Sequence, residues 1–280
     1  MERYETRKNA WLCAALIYFI CFGFRFFEYF FIRTDCTFFG EAFIHKTLGI
    51  IILFVTAKLF SYKPTEIGFS QKSAVKNILR GFLIGFCCFA FSYAIEIRIL
   101  KDTFRFNYLG FFVTSYSVNG NLGNQTELIF FIICILGNII NVIMEEGIFR
   151  GLLQKLFERR YSFFASAVFA SILFGLWHCI APARSFFDGL SNKNQLIINL
   201  AILIGSSTLV GLKYAMLYKI TGSIYAGMTE HFVNNTLINI LHVVSYSGID
   251  QLQTIRISIA QTVSFIIVLI LYLRKVNLNE

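Results

Sequence analysis

Apolar residues fall in long blocks along the chain, separated by short polar or basic turns. A helix needs about 20 mostly apolar residues to cross a bilayer. Blocks of that kind cover roughly residues 10–31, 43–60, 79–99, 127–157, 162–181, 196–218, 223–244 and 256–273. They predict an all-α polytopic membrane helix bundle with about eight transmembrane helices. The first block carries Arg25 and Glu28 and is less clean. The fourth exceeds the bilayer thickness, so one end is expected to project into water. Segment 100–126 mixes aromatics with Gly, Asn and Ser and reads as a loop or interfacial segment. Without repeats or low-complexity tracts, residues 1–280 read as a single integral membrane domain.

Composition agrees. Of 280 residues, 56% are hydrophobic and 15% charged, and the mean hydropathy is +0.65. An ordinary soluble protein carries about 25% charged residues, so a soluble fold could not cover itself. The net charge of +9 does not imply nucleic acid, because the basic residues sit between apolar blocks as topology determinants do. With a cytoplasmic N-terminus, sixteen Lys and Arg, including Arg3, Arg7 and Lys8, fall on the cytoplasmic side and eight on the other. Both termini are therefore expected in the cytoplasm, most simply at the cell membrane. Seven cysteines lie mostly within apolar blocks, without CxxC spacing, and suggest no disulfide framework. The basic, then apolar, start lacks an A-x-A-like cleavage site and reads as an uncleaved first span.

Ionisable residues inside the blocks cost several kcal/mol each and are functional candidates. Three groups stand out. "IMEEGIFRGLL" carries Glu145, Glu146 and Arg150. Glu146 and Arg150 are spaced i, i+4 and can pair, whereas Glu145 shares a helical face with Asn138 and Asn141. "SILFGLWHCIA" carries His178, with Phe174 one turn earlier. "TEHFVNNTLINILHVV" carries His231 and Asn235 on one face, with His242 three turns further on if the helix continues. The plain alternatives are an ion pair, a packed histidine and an interhelical hydrogen-bond network.

Hairpin geometry brings these groups together. A basic turn, "ERRYS", lies near residue 160. Glu145 and His178 then stand roughly 22 and 27 Å from that turn, and His231 roughly 18 Å from the same boundary at Lys219. Glu145, His178, His231 and Asn235 can converge from three helices. A carboxylate and two imidazoles away from bulk water can activate a water molecule, and an amide beside them can stabilise an oxyanion.

These residues also form a family pattern. The chain resembles the CPBP family of intramembrane proteases, which includes the CAAX prenyl endopeptidases and the Abi (bacteriocin self-immunity) proteins. Its motifs EExxxR, FxxxH and HxxxN stand here as Glu145-Glu146-x-x-x-Arg150, Phe174-x-x-x-His178 and His231-x-x-x-Asn235. The resemblance covers residues 127–244. It implies an eight-helix intramembrane endopeptidase with its site in a cavity, cleaving a peptide or membrane-associated protein. By that resemblance Glu145 is the base that activates water, helped by His178. His231 and Asn235 form the oxyanion site, and Glu146 and Arg150 give support. The implied partners are that substrate and the lipid bilayer, with no nucleic acid.

The resemblance to the prenyl endopeptidases implies no cofactor. Glu145, His178 and His231 are nonetheless the kind of set a catalytic zinc accepts, so a zinc-dependent reaction on the same residues stays open, although HExxH is absent. The serine motif GxSG and the aspartyl pair YD and GxGD are also absent. Two other classes compete: a non-catalytic scaffold or bacteriocin-immunity factor, and an ion-coupled transporter. An intact four-residue set counts against the scaffold. Missing inverted repeats count against the transporter.

Overall fold

A computed structural model describes residues 9–103, 105–114 and 123–277. The basic residues Arg3, Arg7 and Lys8, used above for orientation, lie outside the described residues, as does part of segment 100–126. Helix α1 spans Ala10–Phe27 and runs into a π-helical turn, Glu28–Ile32. Helix α2 spans Ile44–Leu59, α3 Ala74–Asp102 and α4 Leu128–Glu146. A second π-helical segment, Gly147–Leu153, joins α4 to the short α5, Gln154–Glu158. Helices α6 (Phe163–Trp177) and α7 (Ile180–Phe187) follow, then α8 (Lys193–Thr221), α9 (Tyr225–Ile240) and α10 (Gln253–Asn277).

The protein is an all-α polytopic membrane bundle, as the apolar blocks predict. Every block contains a helix, but among the described residues six helical stretches are long and apolar enough to cross a membrane. The remaining two, α2 and α9, have 16 residues each, short of the usual span. The outward surface is apolar: Phe19, Leu83, Leu136 and Ile202 are exposed, while Glu28, Glu145, Glu146, Arg150, Lys213 and Glu230 are buried. Polarity is thus inverted relative to a soluble protein, which suits a lipid surround.

The seventh block departs from its sequence pattern. Helix α9 stops at Ile240, and Leu241–Ser245 forms strand β2. It pairs antiparallel with β1, Phe106–Phe111, and with β3, Gly248–Ile249. Segment 100–126, read as a loop or interfacial segment, therefore contributes a strand. His242 does not continue the face of His231; it sits on β2 and is buried. Its Nδ1 lies 2.6 Å from Asp250 Oδ2, and its Nε2 donates to the Phe112 carbonyl at 3.0 Å. Arg256 binds Asp250 at 2.9 Å and Glu96 at 2.6 Å, tying the sheet to α3 and α10. Burial would push the Asp250 carboxyl up, but hydrogen bonds from His242 and the Val243 amide, with the Arg256 charge, hold it below the usual carboxylate range.

Helix α9 is held against α3 at two glycines, Gly81 and Gly85, in the small-xxx-small spacing that lets membrane helices approach closely. A Cβ at Gly81 would lie 2.1 Å from the Ala226 carbonyl oxygen, and one at Gly85 3.1 Å from Val233 Cβ. Gly81→Leu is expected to cost about 3 kcal/mol by overpacking, read as a lower thermal midpoint in detergent. Gly23→Leu, where nothing lies within 4 Å, should leave the midpoint unchanged.

Candidate active site

Four helices deliver the site. The last turn of α4 presents Glu145 and Glu146, and the chain then enters the π-helical segment, a local widening that often accompanies functional positions. Helix α6 ends at Trp177, so His178 caps it at the break before α7. Helix α9 supplies His231 and Asn235, and α1 supplies Arg25. Glu145, His178, His231 and Asn235 line one cavity of about 250 Å³, together with Arg25, Lys46 and Asn141.

The two glutamates have different surroundings. Glu145 Oε1 accepts the Trp177 indole N–H at 2.9 Å, and the Arg25 guanidinium lies 3.7 Å from the same oxygen. Glu145 Oε2 has no hydrogen-bond partner among the described residues and faces His231 Nε2 at 3.7 Å. One oxygen is therefore anchored while the other keeps its acceptor capacity. Glu146 Oε1 takes Arg150 at 3.3 Å and also His231 Nδ1 at 3.0 Å. The i, i+4 pair expected from the sequence is present. Its second function, holding the His231 ring so that Nε2 faces Glu145, could not be read from spacing within α4.

Room for a buried guanidinium comes from its neighbours. Arg150 stacks over the Phe174 ring at 4.0 Å and lies 5.4 Å from the Tyr214 ring centroid. A Cβ at Gly211 would come within 2.9 Å of its Nη2. Phe174 also meets His178 edge-on at 4.7 Å, and Tyr214 stacks on His231 at 5.4 Å. Phe174 also meets His231 edge-on at 6.2 Å, so it touches both of the other motif groups besides belonging to one.

Hydrogen-bond chemistry fixes one tautomer. His178 Nδ1 lies 2.8 Å from the Phe174 carbonyl oxygen, which can only accept. Nδ1 therefore carries the proton, and in the neutral ring Nε2 is left with a lone pair. Asn235 Oδ1 accepts from Asn234 Nδ2 at 2.8 Å.

Among the described residues no three His, Cys, Asp or Glu side chains are grouped so as to hold a metal ion. A cation already stands beside Glu145 in the form of Arg25.

Sequence reasoning missed Arg25 and Trp177 as contacts of Glu145. Both left a signal. Arg25 is a charge within an apolar block, and Trp177 immediately precedes His178. Lys46, paired with Glu41 at 2.8 Å, also lines the cavity, although its charge suggested only topology.

Residues 127–237 match the family model described as type II CAAX prenyl endopeptidase Rce1-like. That stretch contains all three motifs and lies within the 127–244 expected from them. No curated protein matches the chain.

Proposed function

With residues 127–237 assigned to the CAAX-protease family, we propose that this membrane protein is an endopeptidase working by glutamate-activated water. The observation that carries the reading is the Glu145 carboxylate, anchored through Oε1 and open at Oε2, in a cavity shared with two histidines and an asparagine. Water held near Oε2 attacks the scissile carbonyl carbon and gives its proton to Glu145. The carbonyl oxygen becomes an oxyanion, stabilised by the Asn235 amide and by His231, which donates through Nε2 as the imidazolium while Glu146 holds its Nδ1–H. Collapse of the tetrahedral intermediate breaks the C–N bond, and the proton passes from Glu145 to the leaving amine. His178, its Nε2 lone pair free, assists the proton transfers. Arg25 and Trp177 hold Glu145 in place, and Glu146 orients His231. The substrate is a peptide or membrane-associated protein, the setting is the cell membrane, and both termini are cytoplasmic.

The test uses two internally quenched peptides, one ending in a prenylated CAAX sequence and one identical but unprenylated, with purified protein in detergent or liposomes. Cleavage of either supports the endopeptidase. If neither is cleaved, and a biological phenotype survives substitution of Glu145, His178, His231 and Asn235, the protein is a scaffold. Cleavage is expected to persist in strong chelator, with no zinc by elemental analysis. Loss of activity in chelator and its return with zinc would overturn the metal-free reaction.

A further inference from the structure

Asn235 can serve an oxyanion only if its amide NH₂, and not its carbonyl, faces the cavity. An isolated asparagine has no strong preference, because its two ends have nearly the same shape. Here a chain of side chains, buried at its start and half-buried further along, makes the choice. It begins at Lys213 on α8, which is fully buried. An ammonium has three donors and no acceptor. Lys213 Nζ spends them on the Glu230 carboxylate, on Gln261 Oε1 at 2.7 Å and on Ser264 Oγ at 2.8 Å. Ser264 Oγ in turn donates to the Gln261 backbone carbonyl at 3.2 Å, consistent with its accepting from Lys213.

Each later link follows from the one before. With its oxygen held by Lys213, Gln261 must present Nε2, which donates to Asn234 Oδ1 at 2.8 Å. With its oxygen occupied, Asn234 must present Nδ2, which donates to Asn235 Oδ1 at 2.8 Å. Asn235 is then left with Nδ2 as its remaining end, on a residue that lines the cavity. The direction of every bond is set by the cation at the start of the chain. Glu230, Gln261 and Asn234 are otherwise unexplained polar groups in an apolar bundle.

We infer that Lys213, Gln261 and Asn234 are positioning residues whose hydrogen-bond polarity turns the Asn235 amide so that its N–H donors face the reacting carbonyl. The inference rests on the reading of Asn235 as an oxyanion donor. It requires no movement and no further ligand.

Asn234→Asp tests the polarity with almost no change of shape. An ionised aspartate only accepts, so it would take both the Gln261 and the Asn235 amide nitrogens and turn the Asn235 oxygen toward the cavity. A protonated aspartate can accept from Gln261 and donate to Asn235, reproducing the parent. The variant is therefore expected to approach parental kcat at low pH. It should lose about 100-fold, the worth of one oxyanion donor, as pH rises through the new carboxyl's titration, with KM nearly unchanged. Gln261→Glu, which reverses the same chain one link earlier, should lower kcat in the same direction. Asn235→Ala serves as reference and should be slow at every pH, measured on whichever probe peptide the parent cleaves.

The outcomes separate cleanly. If Asn235→Ala is slow while Asn234→Asp overlays the parent at all pH values, the relay is wrong and the role of Asn235 stands. A loss in Asn234→Asp that does not vary with pH also overturns the relay, since it marks a packing defect. If Asn235→Ala retains parental kcat, the oxyanion reading itself fails and takes the relay with it.

Discussion

Glu145→Gln is expected to lower kcat about 10,000-fold, the upper end of what a positioned general base contributes, while leaving a folded protein. The amide keeps the shape of the carboxylate, and its oxygen can still accept the Trp177 N–H that Glu145 Oε1 now accepts at 2.9 Å. What is lost is the proton acceptor at the other oxygen. Glu146→Gln should behave differently although it is the neighbouring residue. Its oxygen can still meet His231 Nδ1 and Arg150, now at 3.0 and 3.3 Å, so catalysis falls far less. Its main effect is on stability, because Arg150 loses its counter-charge. The paired comparison reads kcat on the probe peptide and the thermal midpoint in detergent. Equal catalytic losses in the two variants would remove the division of labour between the glutamates.

The second large effect is expected at Arg150. Breaking a buried ion pair by removing one partner typically costs about 3–5 kcal/mol, since the other charge is left unpaired. Arg150→Met removes the guanidinium between Phe174 and Tyr214 and strands Glu146 in the bundle. The thermal midpoint should fall sharply. Adding Glu146→Gln to Arg150→Met should recover part of the loss, because no uncompensated charge remains. A double variant less stable than Arg150→Met alone would mean that the pair is not what holds this corner together. The affected corner joins α4, its π-helical extension and α6, so both glutamates depend on it.

Much of this was legible in the sequence. Apolar block length gave the helices, because lipid forces nearly every spanning segment to satisfy its own backbone. Charge inside those blocks marked Glu145, Glu146, Arg150, His178 and His231, because an ionisable group in an apolar helix is costly to keep. Periodicity placed Glu145 on the asparagine face and Glu146 toward Arg150. Three features escaped. The end of α9 at Ile240 is invisible to hydropathy, since Leu241–Val244 is as apolar as a helix and becomes a strand only by pairing with β1. Arg25 was read only as a charge that blemishes the first apolar block and Lys46 only as a topology signal, and tertiary packing is what turns both into the cavity. The chain from Lys213 to Asn235 crosses three helices, and no spacing along one helix could reveal it.

The central claim is that water, activated by Glu145, attacks the peptide directly. Single-turnover cleavage of the probe peptide in H₂¹⁸O, followed by mass spectrometry of product and protein, tests it most closely. Direct attack predicts one ¹⁸O in the newly formed carboxyl terminus and none in the protein fragment containing Glu145. Label in that fragment, with an unlabelled product, would instead show that the Glu145 carboxylate is the nucleophile and would contradict the account.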